Sequence, residues 1–433
     1  MADKTTHGMK RKLLVLASTF PRWKGDTEPA FVYELSARLT ASFSVTALVP
    51  HAPGAQMEED WDGLRVRRFR YMWPARWERL AYGGILPNIQ RDRLLLLQVP
   101  LFLAGELAAT LRLVKRERID LIHAHWVVPQ GFVAALVRQL TGIPVLITAH
   151  GADMYALNDS LVRKLKQWTL NHCDGITAVS TSLVKKIQEL NISGSRPVHV
   201  ISMGVDTTFF QPSQDDGSLR ERFGIKGPFL LFVGRLAEKK GVRYLIDAMP
   251  QVLKELPDST LVIVGDGPLR NELETQAQRQ GVGGNVRFVG ALPREALSPY
   301  YAAADVFVGP SIETASGDTE GLPVVFAEAM ASGCAVVGTA VGGTSDIIRH
   351  RETGLLVESA SSEALATAIN ELLSSAAEAR RMAVRGRRWV KQQFDSQRVA
   401  DRYAHLLLEA AGSGDRTKIG RHRPVNGTTG DAD

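Results

Sequence analysis

Two glutamates eight positions apart, Glu320 and Glu328, carry the most informative chemistry of this chain. Between them, Pro323 suits the first position of a helix because its missing N–H has no role there, and the apolar run that follows predicts a helix over 322–332. Glu320 would then precede the helix, and Glu328 would lie about two turns along it. The free N–H groups of the first turn, around Gly321, favour an anion such as a diphosphate.

A carboxylate beside an anion site needs a neutral partner. Glu320 and Glu328 can accept hydrogen bonds from sugar or ribose hydroxyls while the helix end binds a phosphate. On spacing alone, a capping glutamate and a solvated helical glutamate explain the pattern equally well. The segment therefore raises the hypothesis of a phosphate and sugar site without deciding it.

Charged and glycine-rich loops follow two further predicted strands. Arg235 comes directly after a predicted strand over 229–233, and Lys240 stands at the entrance of the next helix. Two cations there can neutralise a diphosphate without a metal ion, and an arginine can bind it in a bidentate manner. The next strand ends at the segment 265–268, where Asp266 lies between two glycines that permit close approach to the backbone. Each loop taken alone is more typical of an ordinary surface loop.

Length and composition set the class of protein. With 433 residues, 45% of them hydrophobic, the chain is long enough for two domains with separate cores. The two cysteines, Cys173 and Cys334, offer neither a disulfide framework nor metal-ligand spacing, which suits a reducing cytosol. The polar N-terminus lacks the apolar core of a signal peptide, and the longest apolar stretch, 94–104, is short and interrupted by Gln98 and Pro100. We therefore expect a cytoplasmic protein without a spanning helix.

Positive charge is concentrated in the first half of the chain. Residues 1–205 contain 26 Lys and Arg against 17 Asp and Glu, and arginines alternate with aromatic residues over 65–82. This combination suits peripheral association with an anionic membrane. A solvated strand followed by a partly buried helical hairpin explains it slightly better, so both interpretations stay open. No nucleic-acid-binding motif accompanies the charge, so nucleic acid is not an expected partner.

Short apolar runs alternate with amphipathic stretches, which predicts an α/β protein with two doubly wound, Rossmann-like domains. Strands are expected at 12–18, 44–49, 64–70, 119–123, 144–148, 175–179 and 198–201, and then at 229–233, 260–264, 286–289, 305–308, 335–338 and 354–357. Helices are expected at 29–41, 161–171, 241–255, 268–280, 322–332, 361–374, 377–393 and 397–410.

These two series predict the domain organisation. The first domain is expected over 12–205 and the second over 206–393, and a helix within 394–411 is expected to pack back on the first domain. The polar tails, 1–11 and 412–433, are expected to be disordered. Doubly wound sheets bind ligands at the carboxyl ends of their strands, so the cleft between the domains is the expected site.

Taken together, these loops resemble the donor domain of retaining GT-B glycosyltransferases of glycosyltransferase family 4. The matching stretches, specific in their combined order and spacing, are Gly234-Arg235-Leu236 with Lys240-Gly241, Gly265-Asp266-Gly267-Pro268, Pro310-Ser311, Glu320-Gly321-Leu322-Pro323, Glu328 to Gly333 and Val341-Gly342-Gly343. The first domain matches at 18–25, 148–153 and 202–206. The resemblance covers most of the chain except the tails and the 50–115 region, and it implies a GT-B fold.

The resemblance also assigns roles to individual residues. It implies that Arg235 and Lys240 hold the donor diphosphate and that Glu328 binds the ribose hydroxyls. Glu320 would lie beside the donor sugar and take part in catalysis. Further donor-binding positions are expected at Gly25, Asp266, Gly321, Leu322 and Pro323.

His150 matches the family histidine that faces the sugar from the acceptor domain. As a neutral or charged donor it can bind a sugar hydroxyl or stabilise charge as the glycosidic bond breaks, so it is the second candidate catalytic residue. A lone histidine at a strand end is otherwise more often structural. His123 and His125 alternate on one predicted strand, but no third ligand accompanies them, so no metal is expected.

Two positions depart from the family pattern. The first loop commonly has paired glycines, whereas this chain has a single Gly25 between Lys24 and Asp26. The contacts of that loop are therefore open, and Lys24 can add a cation there. Asp346 stands where the family often has a glutamate.

The resemblance implies a glycosyltransferase that moves a sugar, with retention, from a nucleoside-diphosphate sugar to an acceptor hydroxyl, without cofactor or metal. A glycan or a lipid-linked oligosaccharide is the expected acceptor. The alternatives are a GT-B sugar-nucleotide epimerase, which needs no acceptor, and a non-catalytic nucleotide-sugar sensor. The sequence makes no prediction of the donor base, the sugar, the linkage or the oligomeric state.

Overall fold

Two β-sheets organise the structure, a computed structural model that describes residues 10–26, 28–156, 159–193 and 196–419. The strands are β1 (Lys12–Leu16), β2 (Ser44–Pro50), β3 (Glu58–Trp61), β4 (Leu64–Phe69), β5 (Leu121–His125), β6 (Val145–Ala149), β7 (Gly175–Ala178), β8 (Val198–Val200), β9 (Phe229–Val233), β10 (Thr260–Val264), β11 (Val286–Gly290), β12 (Val306–Gly309), β13 (Ala335–Thr339) and β14 (Leu355–Val357). The helices are α1 (Phe31–Leu39), α2 (Ile85–Arg91), α3 (Val99–Glu117), α4 (Phe132–Thr141), α5 (Ala152–Tyr155), α6 (Ser160–Asn171), α7 (Thr181–Gln188), α8 (Ser218–Phe223), α9 (Val242–Glu255), α10 (Arg270–Arg279), α11 (Ser298–Ala303), α12 (Val325–Ala331), α13 (Thr344–Ile347), α14 (Ser362–Ser374), α15 (Ala376–Gln393) and α16 (Ser396–Ile419).

The first sheet has the strand order β3-β4-β2-β1-β5-β6-β7-β8. All neighbouring pairs are parallel except β3 with β4. Val15, for example, pairs with Ala47 on one side and with His123 on the other. The strand order reverses between β1 and β5, so the loops that follow these two strands diverge and leave a crevice at the carboxyl edge of the sheet.

The second sheet has the order β11-β10-β9-β12-β13-β14, and all its pairs are parallel. Its order reverses between β9 and β12, which brings the loops after Val233 and Gly309 to the ligand-binding edge. The predicted fold of two doubly wound α/β domains is confirmed, and each predicted strand is present. Nearly continuous burial along β9, β10 and β13 explains why their sequences are apolar throughout, because helices cover both faces of a parallel sheet.

The short strand β3 is the one strand that sequence reasoning missed. Its sequence, Glu-Glu-Asp-Trp, has no apolar alternation, so no strand pattern is visible. It forms because a turn at Asp62 and Gly63, both with positive φ, folds it back on β4, and because Glu58 forms an ion pair with Arg67 opposite.

The start of α12 also differs from the prediction. The helix was expected over 322–332 with Pro323 in its first turn, but it begins at Val325. The N–H of Phe326 donates to the carbonyl of Pro323 at 3.1 Å, a three-residue separation that marks a tighter turn than an α-helix. Gly321, Leu322 and Pro323 therefore lie in a loop before the helix.

Helix α16 joins the two halves of the molecule. It packs against α1, β5 and β6 of the first domain, and the buried hydroxyl of Tyr403 donates to the carbonyl of Ile201 at 3.1 Å. Just before it, Val205 and Asp395 form a parallel bridge, so the two segments that connect the domains run side by side. The helix continues to Ile419, beyond the expected start of a tail at 412. Of the expected N-terminal tail, residues 10 and 11 are described and exposed; residues 1–9 and 420–433 lie outside the described residues.

Helix α3 carries a buried carboxyl group. A 3-10 helix, Arg93–Gln98, leads directly into α3, so that Arg93–Glu117 is long and apolar enough to cross a membrane by length and composition alone. Within α3, Phe102, Glu106 and Thr110 are buried in the first domain. Burial raises the pKa of Glu106 to about 8, against a smaller lowering by the amide of Gln130.

We expect Glu106→Gln to stabilise the protein more at pH 8 than at pH 5. The folded state keeps the Glu106 proton up to about pH 8, whereas the unfolded chain releases it near pH 4.3. The free energy of unfolding of the unmodified protein therefore falls by roughly 2–4 kcal/mol as pH rises from 5 to 8. The glutamine has no proton to lose, so the variant does not show this fall. Urea unfolding at both pH values measures the difference, with the exposed Glu272→Gln as control. An equal effect of Glu106→Gln at both pH values would contradict the assignment.

Candidate active site

An ion pair between Lys240 and Glu320 lies at the carboxyl edge of the second sheet. The ammonium nitrogen of Lys240 is 2.6 Å from Oε1 of Glu320, and the hydroxyl of Ser311 donates to the same oxygen at 3.0 Å. The side chain of Glu320 is buried. Burial raises the pKa of Glu320, but the charges of Lys240 and Lys239 outweigh it and hold the pKa below its ordinary value. Glu320 is therefore an ionised acceptor enclosed by the protein.

Two further predicted donor-binding residues, Arg235 and Asp266, lie at neighbouring strand ends. Arg235 follows β9 and is exposed, and its charge opposes the rise in pKa that burial causes at Glu28 of the first domain. Asp266 follows β10, is exposed, and accepts the N–H of Gly267 at 2.7 Å. The structure thus brings Arg235 to the same edge as Lys240, whereas Asp266 is engaged with its own loop.

Glu328 is buried on α12 and is held from two sides. Its Oε2 accepts the hydroxyl of Tyr301 at 2.9 Å, and its Oε1 accepts Nε of Arg294 at 3.3 Å. Arg294 also forms an ion pair with Glu34 on α1, which belongs to the first domain. One guanidinium therefore links the predicted ribose-binding carboxylate to the opposite wall of the cleft.

The two residues that bind the Glu328 carboxylate, Arg294 and Tyr301, were not predicted from the sequence. Arg294 follows the end of β11 as Arg235 follows the end of β9, so the same strand-end argument would have found it. Tyr301 lies in α11 with its ring fully buried, and nothing in its sequence neighbourhood distinguishes it from a core residue. Burial and the Glu328 carboxylate raise the pKa of Tyr301, so its hydroxyl stays protonated and donates.

His150 follows β6, and its carbonyl oxygen lies against Gly321 of the second domain. Its ring packs against Trp126, with centroids 4.7 Å apart, and against Phe31 at 5.3 Å. Its Nε2 lies 2.9 Å from Nδ1 of His125. Burial lowers the pKa of His150 to about 3. The imidazole of His150 is therefore neutral rather than charged near pH 7.

A buried aspartate ties the loop of His150 to the neighbouring loop. Asp153 accepts the backbone N–H groups of His150 at 3.1 Å and of Gly151 at 2.8 Å through one oxygen. Through the other oxygen it accepts the N–H of Val127, which follows β5, at 2.8 Å. Asp153 belongs to the stretch 148–153 that carries the resemblance, but its side chain received no role from sequence. Asp153 therefore fixes the backbone conformation at His150 and Gly151.

Glycines allow the backbones of three loops to approach one another closely in the cleft. A Cβ atom on Gly321 would stand 1.9 Å from the carbonyl oxygen of His150, and one on Gly151 would stand 2.8 Å from the Cα of Gly321. A Cβ on Gly342 would stand 2.0 Å from the carbonyl oxygen of Glu320. These positions need glycine because the backbones approach within the space of a side chain.

Asp346 adds a polar contact across the same cleft. Its carboxylate accepts both the N–H and the hydroxyl of Thr181, each at 2.6 Å. Thr181 begins α7 of the first domain, so the aspartate that departs from the family pattern serves as an interdomain acceptor at the start of that helix.

We expect Gly321→Ala to reduce turnover by on the order of 100-fold while leaving the fold intact. The added methyl group would overlap the His150 carbonyl and hold the two domains apart, so the residues on the two walls would lose their mutual positions. Steady-state kinetics and thermal unfolding measure the two effects. Gly284→Ala, where a Cβ meets nothing within 4 Å, is the matched control. Full activity of Gly321→Ala would show that the close approach is not required.

Both cations of the first loop are paired with aspartates. Gly25 has φ +81, and Lys24 forms an exposed ion pair with Asp62 at 3.0 Å. Asp26 accepts two guanidinium nitrogens of Arg22, at 2.7 and 2.9 Å. The ammonium group of Lys24 is thus paired with Asp62. Gly25 supplies the turn between Lys24 and Asp26, whose partners are Asp62 and Arg22.

The histidine pair on β5 forms no metal site in the described part of the chain. His123 and His125 are buried with ring centroids 4.2 Å apart, but no group of three or more His, Cys, Asp or Glu side chains that could hold a metal occurs there. Burial lowers the pKa of both rings, to about 3 at His123.

Two doubly wound domains that meet across a cleft define the GT-B class. The sucrose-phosphate synthase of Thermosynechococcus elongatus has this fold, with a TM-score of 0.76, 24% identity, and coverage of 93% of this chain and 100% of that chain. HepE of Anabaena, solved in complex with UDP-glucose, has a TM-score of 0.69, 20% identity, and coverage of 92% and 99%. These similarities establish the GT-B fold.

Sequence comparisons identify the family. The model for Glycosyltransferase Family 4 matches residues 30–209, and that for Glycosyl transferases group 1 matches residues 215–389. A GDP-mannose-dependent alpha-(1-6)-phosphatidylinositol monomannoside mannosyltransferase of Mycolicibacterium smegmatis is 30% identical over 299 residues, 68% of this chain and 78% of the relative. N-acetyl-alpha-D-glucosaminyl L-malate synthase of Bacillus anthracis is 27% identical over 314 residues, 71% and 79% of the two chains. The chain therefore belongs to the group 1 glycosyltransferases of glycosyltransferase family 4, and it is an enzyme of class EC 2.4.

Proposed function

We propose that the enzyme transfers a sugar from a nucleoside-diphosphate sugar to an acceptor hydroxyl, with retention of anomeric configuration and without a metal ion. The observation that carries the proposal is the ion pair of the partly buried Lys240 with the buried Glu320, together with Arg235 in the same loop as Lys240. It combines cations for a diphosphate with an ionised carboxylate for sugar hydroxyls. The Mycolicibacterium relative is named for GDP-mannose, which supports a donor of this class.

The donor would lie along the carboxyl edge of the second sheet. Arg235 and Lys240 would bind the diphosphate, and Glu320 would keep lone pairs for sugar hydroxyls because Lys240 and Ser311 occupy only one of its oxygens. At the other end, Glu328 would accept the ribose hydroxyls. Arg294 and Tyr301 hold its carboxylate in one orientation, so little freedom is lost when the ribose binds.

The chemical step would place growing negative charge on the leaving diphosphate. Arg235 and Lys240 would stabilise that charge from fixed positions in a closed cleft, where such interactions are stronger than in water. The sequence resemblance supports retention, and in this scheme His150 contributes a hydrogen bond rather than a charge because its imidazole is neutral. The absence of a metal from the scheme is supported by these two protein cations, which supply the charge that a metal would otherwise bring.

We expect Arg235→Ala to raise the barrier to turnover by about 2–4 kcal/mol while leaving the thermal unfolding transition unchanged. The side chain is exposed, so its loss removes charge at the diphosphate without opening a cavity. Release of nucleoside diphosphate measures the rate. Arg279→Ala, an exposed arginine at the end of α10, controls for a general change in charge. A folded Arg235→Ala enzyme with normal kcat would refute the assignment.

An acceptor requirement separates the proposal from its two alternatives. The protein is incubated with a panel of nucleotide sugars, with and without acceptors, and both diphosphate release and product mass are recorded. Acceptor-dependent release with a glycosylated product, and retention shown by the anomeric NMR signal, supports the transferase. Epimerised donor without transfer would favour the epimerase, and tight donor binding without turnover would favour the sensor. Unchanged rates after treatment with a chelator would support metal independence.

The acceptor is proposed to be a lipid-linked glycan at the cytoplasmic face of a membrane. The support is a group of exposed apolar side chains in two nearby stretches of the first domain's sequence, here called the interfacial patch: Trp73, Trp77, Leu94, Leu96, Leu97 and Leu101. Trp73 is 78% exposed and Leu97 is 74% exposed. Exposed arginines lie among these residues in sequence, at positions 70, 76, 79, 91 and 93. Such a surface suits aromatic and leucine side chains at headgroup depth with arginines on anionic lipid.

We expect the double substitution Trp73→Ser with Leu97→Ser to weaken binding to anionic vesicles by at least about tenfold, because two large exposed apolar groups no longer enter the interface. Co-sedimentation with vesicles, with and without anionic lipid and at two salt concentrations, measures the partition. Leu161→Ser, on α6 and 75% exposed, is the matched control outside the patch. Absence of vesicle binding by the unmodified protein at low salt would count against a membrane-bound acceptor.

A further inference from the structure

Three histidines lie together behind the candidate active site. His123 and His125 alternate on β5, and both rings are fully buried. His150 follows the adjacent strand β6, and as a residue it is partly exposed. His150 is a candidate catalytic residue, whereas His123 and His125 are buried polar groups without an assigned function.

Hydrogen bonds connect these rings in a defined pattern. His123 Nε2 lies 2.7 Å from the hydroxyl of Thr148, which lies 2.7 Å from the hydroxyl of Thr177. His125 Nδ1 lies 2.9 Å from His150 Nε2. Within the described residues, the remaining nitrogens of the two buried rings, His123 Nδ1 and His125 Nε2, have no hydrogen-bond partner.

Each of the three rings is neutral and therefore carries one N–H. Burial lowers the pKa of His125 well below its ordinary value and that of His123 and His150 to about 3. Which nitrogen holds the proton is then decided by the available partners, because a buried N–H without an acceptor is rare and costly.

Two arrangements satisfy the bond between His125 and His150. If His150 donates from Nε2, His125 must carry its own proton on Nε2, where the described structure offers no acceptor. If His125 donates from Nδ1, its Nε2 is a bare nitrogen and no buried N–H is left without a partner. The second arrangement is favoured, and it requires His150 to carry its proton on Nδ1, the nitrogen not engaged with His125.

We propose that His125 is a positioning residue that holds His150 as the Nδ1–H tautomer, so that His150 presents a hydrogen-bond donor rather than an acceptor to the cleft. A donor suits the oxygens of a nucleoside-diphosphate sugar, whether hydroxyl or phosphate, whereas a bare nitrogen would repel the phosphate oxygens. This use of the donor rests on the proposed transfer reaction. The tautomer itself does not, because it follows from contacts within the first domain.

Nuclear magnetic resonance tests the tautomer without any substrate. The full chain is labelled with ¹⁵N at histidine, and the His150 signals are assigned by their loss in His150→Asn. Long-range proton–nitrogen correlations are expected to show a proton on Nδ1 of His150, unchanged between pH 6 and pH 8. A proton on Nε2, or a mixture of both forms in the unmodified protein, would overturn the proposal.

Kinetics test whether the bond matters for turnover. His125→Asn keeps an N–H donor near the position of Nδ1, whereas His125→Leu removes it. We expect His125→Leu to lower kcat about tenfold with a smaller change in the donor KM, and His125→Asn to retain kcat within about threefold, as the loss of one buried hydrogen bond implies. Equal losses in the two variants would overturn the positioning role.

A neighbouring substitution separates positioning from structural damage. His123→Leu removes an equally buried histidine that forms no hydrogen bond with His150, and it is expected to leave kcat within about twofold. A tenfold loss in His123→Leu would show that disturbing this core, rather than losing the His125 bond, lowers kcat. If the unmodified protein shows no transfer at all, the proposed function fails, while the magnetic resonance result still decides the tautomer.

Discussion

Backbone contact between the two domains is the constraint on which the rest of the site depends. The loop that carries His150 touches Gly321 of the second domain directly, and within the second domain the loop at Gly342 packs against the backbone of Glu320. Residues that would contact the donor or the acceptor are mounted on these loops or beside them. Because each contact leaves no room for a Cβ atom, the positions of side chains on opposite walls are set by main-chain packing, which is stiffer than contact between flexible side chains.

Within that frame, the two walls of the cleft differ in their electrostatics. The second domain buries two carboxylates and pairs each with a partly buried cation, Glu320 with Lys240 and Glu328 with Arg294. Removing ions from water is costly, and close pairing offsets that cost only when the geometry is held, so these groups are already oriented before a ligand arrives. The first domain instead presents neutral histidine and aromatic rings around His150, and its excess of basic residues lies elsewhere, largely on exposed positions.

Arg294 connects the two walls at the far end of the cleft. It bonds to Glu328 in the second domain and to Glu34 in the first, while Arg38 of the same helix as Glu34 pairs with Asp206 in the connecting segment at 2.7 Å. Closure of the cleft and orientation of the carboxylate proposed for the ribose are thus parts of one ion-pair network. Since these groups are partly or fully buried, salt screens them less than exposed pairs.

The two doubly wound domains and the loop positions of Arg235, Lys240, Glu320 and His150 are predictable from the sequence, because apolar periodicity and glycine-rich turns are local signals. β3, the true start of α12 and the contacts of Arg294, Tyr301, Asp153 and His125 are not predictable in this way. Those depend on contacts between residues far apart in the chain, such as Glu34 with Arg294 or His125 with His150. Only the tertiary structure decided them, because burial sets which histidines are neutral and the meeting of the domains sets which charges pair.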